Sequence, residues 1–275
     1  MTATDPAAQR VDSTIDTTRP HPARVYDWFL GGKDNYPVDE ELGRRITAIE
    51  AGAPRAARAN RAFMRRATRL LARERGIRQF LDIGTGIPTE PNLHQVAQSA
   101  APDARVVYVD NDPIVLAHAH ALLRGTAEGV TEYVQADARE PRAILEQAAR
   151  VLDFGRPVAL SLIALLHFVA DEDGARDLVD TLTDALVPGS CVVMSMMTAD
   201  LEPENVHRGI AAYAAGGVTL VARSHGEVSR FFTGLELLDP GIVSVADWRP
   251  ELADDFEADL GPGPISLYGG VAVRR

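Results

Sequence analysis

The chain has 275 residues, of which 46% are hydrophobic, 24% charged and 6% aromatic, which is typical of a folded globular protein and excludes a disordered or fibrous one. Its formal net charge of −11 repels a phosphate backbone at long range, so we do not expect nucleic acid among its partners. No apolar run reaches the ~20 residues that span a bilayer, and a single cysteine, Cys191, excludes an internal disulfide. We therefore expect a cytoplasmic protein with no membrane partner and no metal site.

The N-terminal quarter of the chain differs in character from the remainder. Residues 1–18 predict a disordered tail, residues 19–77 a helical extension, and residues 78–275 the main domain. The extension opens with RVYDWFLGGKDNY at residues 24–36, where apolar side chains recur at helical spacing until Gly31 and Gly32 end the helix.

A run rich in arginine follows. Nine arginines and one acid, Glu74, lie between Arg55 and Arg78. Five arginines share one face of a predicted helix, whose buried face carries Phe63, Met64, Ala67, Leu70 and Leu71. These five are Arg58, Arg61, Arg65, Arg69 and Arg73. The favoured interpretation is a solvated face whose arginines pair with acids elsewhere in the chain; the alternative is a docking strip for an acidic partner.

From Arg78 onward, short apolar runs alternate with longer amphipathic ones, which predicts an α/β fold with a seven-stranded, mostly parallel sheet and helices on both faces. The predicted strands are residues 79–83, 105–109, 131–135, 157–163, 190–196, 235–238 and 264–273. The predicted helices are residues 90–100, 113–123, 141–151, 174–187 and 202–215, and Ser224 to Glu227 has the spacing of a capping box.

The first of these strands runs into a glycine turn, in the sequence FLDIGTGIPT at residues 80–89. Gly84 and Gly86 allow a tight bend and the close approach of a ligand. Thr89 occupies the position of the third glycine of a dinucleotide fingerprint, which disfavours a nicotinamide-dependent oxidoreductase, an alternative that stays open. Asp82 would repel a pyrophosphate but suits an amino group. Asp110, 24 residues after Gly86, is well placed to bind both hydroxyls of a ribose.

A ligand with an amino group, a ribose with free hydroxyls and no phosphate indicates S-adenosylmethionine. The third strand ends in Asp137 and Ala138, which offer a carboxylate for the adenine amino group. The fourth ends at Ile163 in an apolar run suited to the adenine and to the methyl path. Since the carboxyl ends of parallel strands meet at one edge of the sheet, we expect these residues to surround a single site.

These residues resemble the class I S-adenosylmethionine-dependent methyltransferases over residues 79–197, with DIGTG at residues 82–86 as the strongest local sign. More narrowly, the chain is similar to the S-adenosyl methyltransferase family long catalogued as a domain of unknown function. The segments that carry this similarity are ARVYDWFLGGKDNY (23–36), FLDIGTGIPTEPNLHQVAQ (80–98), VVYVDNDPIVLAHA (106–119), LLHFV (165–169), FFTGLELLDPGIVSVADWRP (231–250) and YGGVAVR (268–274).

The resemblance implies a Rossmann-like sheet with an antiparallel last strand, methyltransferase activity and cofactor roles for Asp82, Gly84, Gly86, Asp110 and Asp137. It implies no acceptor, and we expect a small molecule. Our full predicted cofactor set is Asp82, Gly84, Thr85, Gly86, Asp110, Asn111, Asp137, Ala138, Ile163, Tyr26, Lys33 and Arg24. The last three belong to a hypothesis in which residues 24–36 cover the strand ends as a lid, with Tyr26 on the cofactor and Lys33 or Arg24 near its carboxylate; the alternative is a helix that simply packs on the sheet.

His167, just past the fourth strand, is the candidate general base, since an unperturbed imidazole accepts a proton near neutral pH. The alternative is a histidine that packs or caps the following helix. At residues 194–197, Met196 stands where the family resemblance leads us to expect a histidine. This departure keeps open a non-catalytic module that binds S-adenosylmethionine and reports to a partner.

Overall fold

The computed structural model of the protein describes residues 16–115, 117, 125–257 and 260–275. The strands in this part of the chain are β1 (Gln79–Ile83), β2 (Arg105–Asp110), β3 (Val130–Gln135), β4 (Ala159–Ile163), β5 (Cys191–Met197), β6 (Leu235–Leu237), β7 (Val243–Ser244) and β8 (Leu267–Arg274). The α-helices are α1 (Pro22–Phe29), α2 (Pro37–Ile49), α3 (Ala53–Arg73), α4 (Leu93–Ala100), α5 (Pro141–Ala148), α6 (Ala175–Asp184), α7 (Pro203–Ala215) and α8 (His225–Arg230), with single 3₁₀ turns at Leu166–Phe168 and Pro250–Leu252.

The strands form one sheet in the order β3-β2-β1-β4-β5-β8-β6, with the two-residue β7 also paired to β8. β1 to β5 are parallel, whereas β8 runs antiparallel to β5, β6 and β7. Strand order reverses between β1 and β4, and in such sheets ligands bind at the carboxyl ends of the strands at this point. The predicted Rossmann-like architecture, with its antiparallel last strand, is confirmed.

Apolar clusters cover both faces of the sheet, which explains why the central strands are continuous apolar runs rather than alternating ones. On one face, Ile144 of α5 and Leu178 and Leu182 of α6 pack against β1, β4 and β5. On the other face, Phe63 and Leu71 of α3 pack with residues of α4 against the same strands.

Element boundaries agree with the sequence predictions to within a few residues, with identifiable exceptions. β7 adds an eighth strand to the seven predicted, and its two residues are too few to show a periodic pattern. α4 begins at Leu93 rather than at residue 90, because Asn92 is extended and caps the helix together with Gln95. The predicted helix at residues 113–123 lies mostly outside the described residues, and so does the predicted tail at residues 1–18 apart from its last three residues.

The N-terminal extension consists of α1, α2 and α3. His21 caps α1, Pro22 occupies its first turn, and Gly31 follows its end with a φ of +81°. Val25 of α1 and Ile46 of α2 pack with Tyr213 of α7 in an apolar cluster separate from those on the sheet. The extension is therefore built into the fold twice, through this cluster with α7 and through the packing of α3 on the sheet.

A buried ion pair ties α1 to the sheet. Nε and Nη2 of Arg24 donate to the two carboxylate oxygens of Asp112 at 2.9 and 3.1 Å, directly after β2. Both side chains are almost fully shielded from solvent. Such a bidentate pair fixes orientation as well as position, so it sets where α1 lies over the strand ends.

The arginine-rich helix α3 carries most of its arginines inward. Arg65 is 6% exposed and, with Arg69, contacts Asp254, while Arg66 pairs with Glu257 at 2.7 Å. The predicted pairing with acids elsewhere is confirmed for Arg65 and Arg69, but the predicted solvated face is wrong at these two positions, because residues around 252–254 cover them. Arg58 and Arg73 remain exposed.

Among the described residues, every helix is too short or too polar to cross a bilayer.

Replacing Arg24 by Met should lower the free energy of unfolding by about 3–5 kcal/mol, because the Asp112 carboxylate would be left buried without its cation. Urea unfolding measures this loss. Arg44→Met is the matched control: the exposed pair of Arg44 with Glu40 on α2 should contribute less than about 1 kcal/mol. Equal losses in the two variants would contradict the anchoring role of Arg24.

Candidate cofactor site

A cavity of about 390 Å³ opens at the carboxyl ends of β1 to β4, beneath the start of α1. We call it the strand-end cavity. Its volume lies in the range of ordinary small-molecule sites. Ten of the twelve predicted cofactor residues line it, namely Tyr26, Asp82, Gly84, Thr85, Gly86, Asp110, Asn111, Asp137, Ala138 and Ile163.

The glycine turn after β1 requires its glycines. Gly84 and Gly86 have φ values of +76° and +68°, in the region that side chains rarely adopt. A Cβ on Gly84 would lie 2.8 Å from Cδ1 of Leu165, whereas one on Gly86 would meet only Ala23 at 4.0 Å. The N–H groups of Gly84 and Thr85 donate to the carbonyl of Val109, at 2.8 and 3.2 Å, and hold the turn against β2.

Asp110 closes this turn from the neighbouring strand. Its Oδ2 accepts from the N–H of Gly86 at 2.8 Å and its Oδ1 from the N–H of Asp112 at 3.0 Å. Burial raises the pKa of the Asp110 carboxyl, while these two backbone donors oppose the rise. Each oxygen keeps further acceptor capacity, so the carboxylate is fixed in place and still available to hydroxyl donors.

Asp82 is a second buried carboxyl beside the first. It is 8% exposed, and the hydroxyl of Thr85 donates to its Oδ2 at 3.1 Å. Burial raises the pKa of Asp82 to about 6, and the nearby Asp110 acts in the same direction. A cationic amino group in the cavity would offset both effects, so the site fits an amine-bearing ligand.

Asp137 lies at the rim of the cavity and already has a partner. Nε of Arg139 donates to both of its oxygens, at 3.0 and 3.1 Å, and these hydrogen bonds hold the pKa of Asp137 below its usual range. The Asp137 side chain is 31% exposed. An adenine amino group would therefore share this carboxylate with Arg139 or displace that side chain, which sequence spacing could not reveal.

The other predicted lid residues differ from expectation. Arg24 does not line the cavity, because its guanidinium is held by Asp112 behind α1, and Lys33 is exposed on the loop after α1. Tyr26 does line the cavity, but its hydroxyl donates to the carbonyl of Ala57 at 2.9 Å. The proposed contact of Lys33 or Arg24 with a cofactor carboxylate therefore has no support in the geometry.

α3 supplies three wall residues that the sequence analysis missed: Asn60, Arg61 and Met64. Nη2 of Arg61 donates to the carbonyls of Thr89 and of Pro91, and burial lowers the pKa of Arg61. Its guanidinium could hold a ligand carboxylate. Asn60 lies one turn before Met64 on the apolar face of α3, and a neutral amide on that face was the signal available in the sequence.

A chain of hydrogen bonds links α1, α3 and the ends of β4 and β5. Nδ2 of Asn60 donates to the hydroxyl of Tyr26 at 3.1 Å, and its Oδ1 accepts from the hydroxyl of Ser195 at 2.6 Å. The Ser195 oxygen in turn accepts from the N–H of Ala164 at 3.0 Å. Ala164 has a φ of +55°, an unfavourable value for a residue with a side chain, which this bond helps to maintain.

His167 lies outside the strand-end cavity, on the wall of a smaller cavity of about 100 Å³ between the helices, which we call the helical cavity. The Nδ1 of His167 accepts from the N–H of Met197 at 3.2 Å, which places the ring proton on Nε2. Burial, together with the nearby Arg223, lowers the pKa of His167 to about 3. With its one acceptor nitrogen occupied, His167 is a poor general base, and the alternative of a packed structural histidine fits better.

Comparisons with known proteins agree with this geometry. The sequence profile of a family described as S-adenosyl methyltransferase matches residues 8–275. A crystal structure of a DUF574 family protein from Streptomyces avermitilis MA-4680 is 49% identical, with a TM-score of 0.89, over 95% of this chain and all of that one. A provisionally named methyltransferase from Thermobifida fusca YX is 36% identical, with a TM-score of 0.85, over 98% of this chain and all of that one. A comparison with curated proteins found no match.

The profile match extends over almost the whole chain, and both crystal structures share its fold along their full lengths. Buried acceptors for an amino group and for hydroxyls, with no phosphate-binding fingerprint, fit the same cofactor. The chain belongs to the S-adenosyl methyltransferase family, and its cofactor is S-adenosylmethionine.

Proposed function

We propose that the protein transfers a methyl group from S-adenosylmethionine to a small-molecule acceptor by in-line displacement. The observation that carries this proposal is the junction of two cavities: Pro22, Tyr26, Ala164 and Phe168 line both the strand-end cavity and the helical cavity. A cofactor in the first and an acceptor in the second would meet across this shared wall. A site of about 100 Å³ has room for a compact group, which supports a small-molecule acceptor.

Within the strand-end cavity we assign the cofactor's groups by charge and hydrogen-bonding capacity. Asp110 accepts from the ribose hydroxyls, Asp82 pairs with the amino group, and Arg61 takes the carboxylate. Asp137 and Ala138 face the adenine edge, and Ile163 packs against the ring. Burial supports the assignments of Asp82 and Asp110, because an interaction is strengthened where water is excluded.

When bound, the cofactor would supply an electrophilic methyl group: the acceptor atom would bond to the methyl carbon, the C–S electron pair would stay on sulfur, and the acceptor's proton would leave to water. The residues of this chain contribute position. Holding two reactants at attack geometry can supply about 7–11 kcal/mol of the barrier reduction. Asn60 and Ser195 fix Tyr26 and Ala164 at the junction, which supports a positioning role for this hydrogen-bonded chain.

The alternative function, a non-catalytic sensor of S-adenosylmethionine, requires a surface that contacts a partner protein. The arginine helix was its candidate, but Arg61, Arg65 and Arg69 are engaged by groups of the same chain. The helical cavity, for its part, would have no purpose in a module that binds the cofactor alone. Both observations favour the enzyme.

A labelling experiment tests the proposed activity. The protein is incubated with trideuteromethyl S-adenosylmethionine and a metabolite extract, and mass spectrometry follows the label in small molecules and in protein. We expect label in small molecules. Gly84→Ala should abolish it, because its Cβ would collide with Leu165, whereas the control Gly76→Ala has a similar positive φ but open space and should retain it.

Label confined to protein would contradict the small-molecule acceptor. Tight binding of S-adenosylhomocysteine with no label in any fraction would favour the sensor.

Cofactor affinity should depend on pH through Asp82. The carboxyl is neutral below its pKa of about 6 and ionised above it, while the cofactor's amino group stays protonated through pH 7. The dissociation constant of S-adenosylmethionine should therefore fall about tenfold between pH 5 and pH 7, as the ionised fraction of Asp82 rises. Calorimetric titration across this range measures it.

In Asp82→Asn the binding should be weaker and should depend less on pH over this range, with Asp110 as the carboxyl that remains. The exposed Asp103→Asn should keep the wild-type profile. A profile unchanged by Asp82→Asn would show that another group carries the pH dependence.

A further inference from the structure

The helical cavity is apolar over most of its wall. It lies among α1, α2, α3 and α7, with Phe29, Ile46, Ala57, Phe168, Tyr213 and Leu220 among its lining residues. Its volume of about 100 Å³ is smaller than that of an engineered cavity of about 150 Å³ that takes up benzene. An apolar pocket of this size has room for no more than one ring.

Polar groups interrupt this wall. Glu50, at the end of α2, lines the cavity, and its Oε1 accepts from the N–H of Gly52 at 2.8 Å. Its Oε2 is buried and has no hydrogen-bond partner in the described part of the chain, and the same holds for the hydroxyl oxygen of Ser266. Glu202, just before α7, also lines the cavity and lies within hydrogen-bonding reach of Glu50.

His167 adds a further polar group to the wall. It is 5% exposed and lines the cavity, and its Nδ1 accepts from the N–H of Met197. Leaving a buried polar group unpaired costs about 1–3 kcal/mol, more for a charged one. The unpartnered Oε2 of Glu50 and hydroxyl of Ser266 on its wall make this cavity a candidate ligand site.

Glu202 already accepts from Asn205, whereas Oε2 of Glu50 and the hydroxyl of Ser266 have no partner among the described residues, so this wall suits a ligand that brings donors. An ammonium group brings three donors and a positive charge. Arg55 is nearby, but its terminal nitrogens donate to the carbonyls of Pro262 and Pro264, so it offsets the two carboxylates only in part. A carboxylate ligand would instead face repulsion from Glu50 and Glu202.

We propose that the helical cavity is the acceptor site and that it selects a compact ring-bearing amine, whose ammonium group contacts Glu50 and Glu202 while its ring fills the apolar part. This inference rests on the proposed methyl transfer, and it names the acceptor class. Neither carboxylate lines the strand-end cavity, whereas Tyr26 and Ala164 do. The amine is therefore the recognition group, and the methylated atom lies elsewhere on the molecule, towards Tyr26 and Ala164.

Three probes of one size but different charge test this selection: benzylamine, benzyl alcohol and benzoate. Each is titrated calorimetrically into the full chain at pH 7, with and without saturating S-adenosylhomocysteine. We expect benzylamine to bind about tenfold or more tightly than benzyl alcohol, since a hydrogen bond to a charged group is worth about 1.5–3 kcal/mol. Benzoate should bind most weakly.

The double variant Glu50→Gln with Glu202→Gln should abolish the preference for the amine while leaving benzyl alcohol binding in place, which also shows that the variant is folded. Glu204→Gln is the matched control, since Glu204 lies on α7 but is exposed and outside the cavity wall. It should keep the wild-type preference.

Equal affinity for the three probes, no binding of any probe, or a preference that survives the double variant would overturn the inference. These results separate it from the proposed function. If the wild-type protein binds S-adenosylhomocysteine tightly but shows no preference for benzylamine, the proposed acceptor class is contradicted and the methyltransferase is not. Failure of S-adenosylhomocysteine to bind contradicts the methyltransferase, and the titrations without it still report on the cavity.

Discussion

Two carboxylates held out of water at the ends of adjacent parallel strands are the constraint on which this structure depends. Asp82 and Asp110 lie side by side in a buried position, which disfavours ionisation of both. The backbone donors at Gly86 and Asp112 and the hydroxyl of Thr85 reduce this cost, and the glycine turn exists in the conformation that presents them. A cationic, hydroxyl-rich ligand would offset the rest of the cost of burying the two carboxylates. The arrangement that is unfavourable in the free protein therefore specifies its cofactor.

The N-terminal extension is linked to this constraint. The two carboxylates select a cationic ligand more strongly where water is kept away from the strand ends. Pro22, Ala23 and Tyr26 of α1 line the cavity at the strand ends. The pair of Arg24 with Asp112, two residues after Asp110, fixes the position of α1. Tyr26 lies on the inner side of α1 and lines both cavities. The extension thus encloses the cofactor site and also forms a wall of the adjoining cavity, in which we place the acceptor.

Much of this could be predicted from the sequence where local pattern decides the structure. Local sequence predicted a strand from the apolar run at Phe80, a tight turn from Gly84 and Gly86, and a polar strand end from Asp110. The structure brings these residues together. The role of Arg24 could not be predicted, because its partner Asp112 is 88 residues away and spacing carries no information on that pairing. The same limit hid Arg61, whose position on a stripe of arginines suggested a solvated face, whereas its guanidinium donates to the carbonyls of Thr89 and Pro91 about 30 residues later. The segment that covers Arg69 lies about 180 residues later. His167 shows the converse: residue type suggested a base, and only the hydrogen bond from Met197 shows that its acceptor nitrogen is occupied.

The most direct test of the account is calorimetric titration of the protein and of Asp110→Ala with S-adenosylhomocysteine and with NADH. The account predicts that the wild-type protein binds S-adenosylhomocysteine and not NADH, and that Asp110→Ala loses this binding while remaining folded. Binding of NADH in place of S-adenosylhomocysteine, or affinity for S-adenosylhomocysteine unchanged in Asp110→Ala, would contradict the assignment of the strand-end carboxylates as the cofactor site.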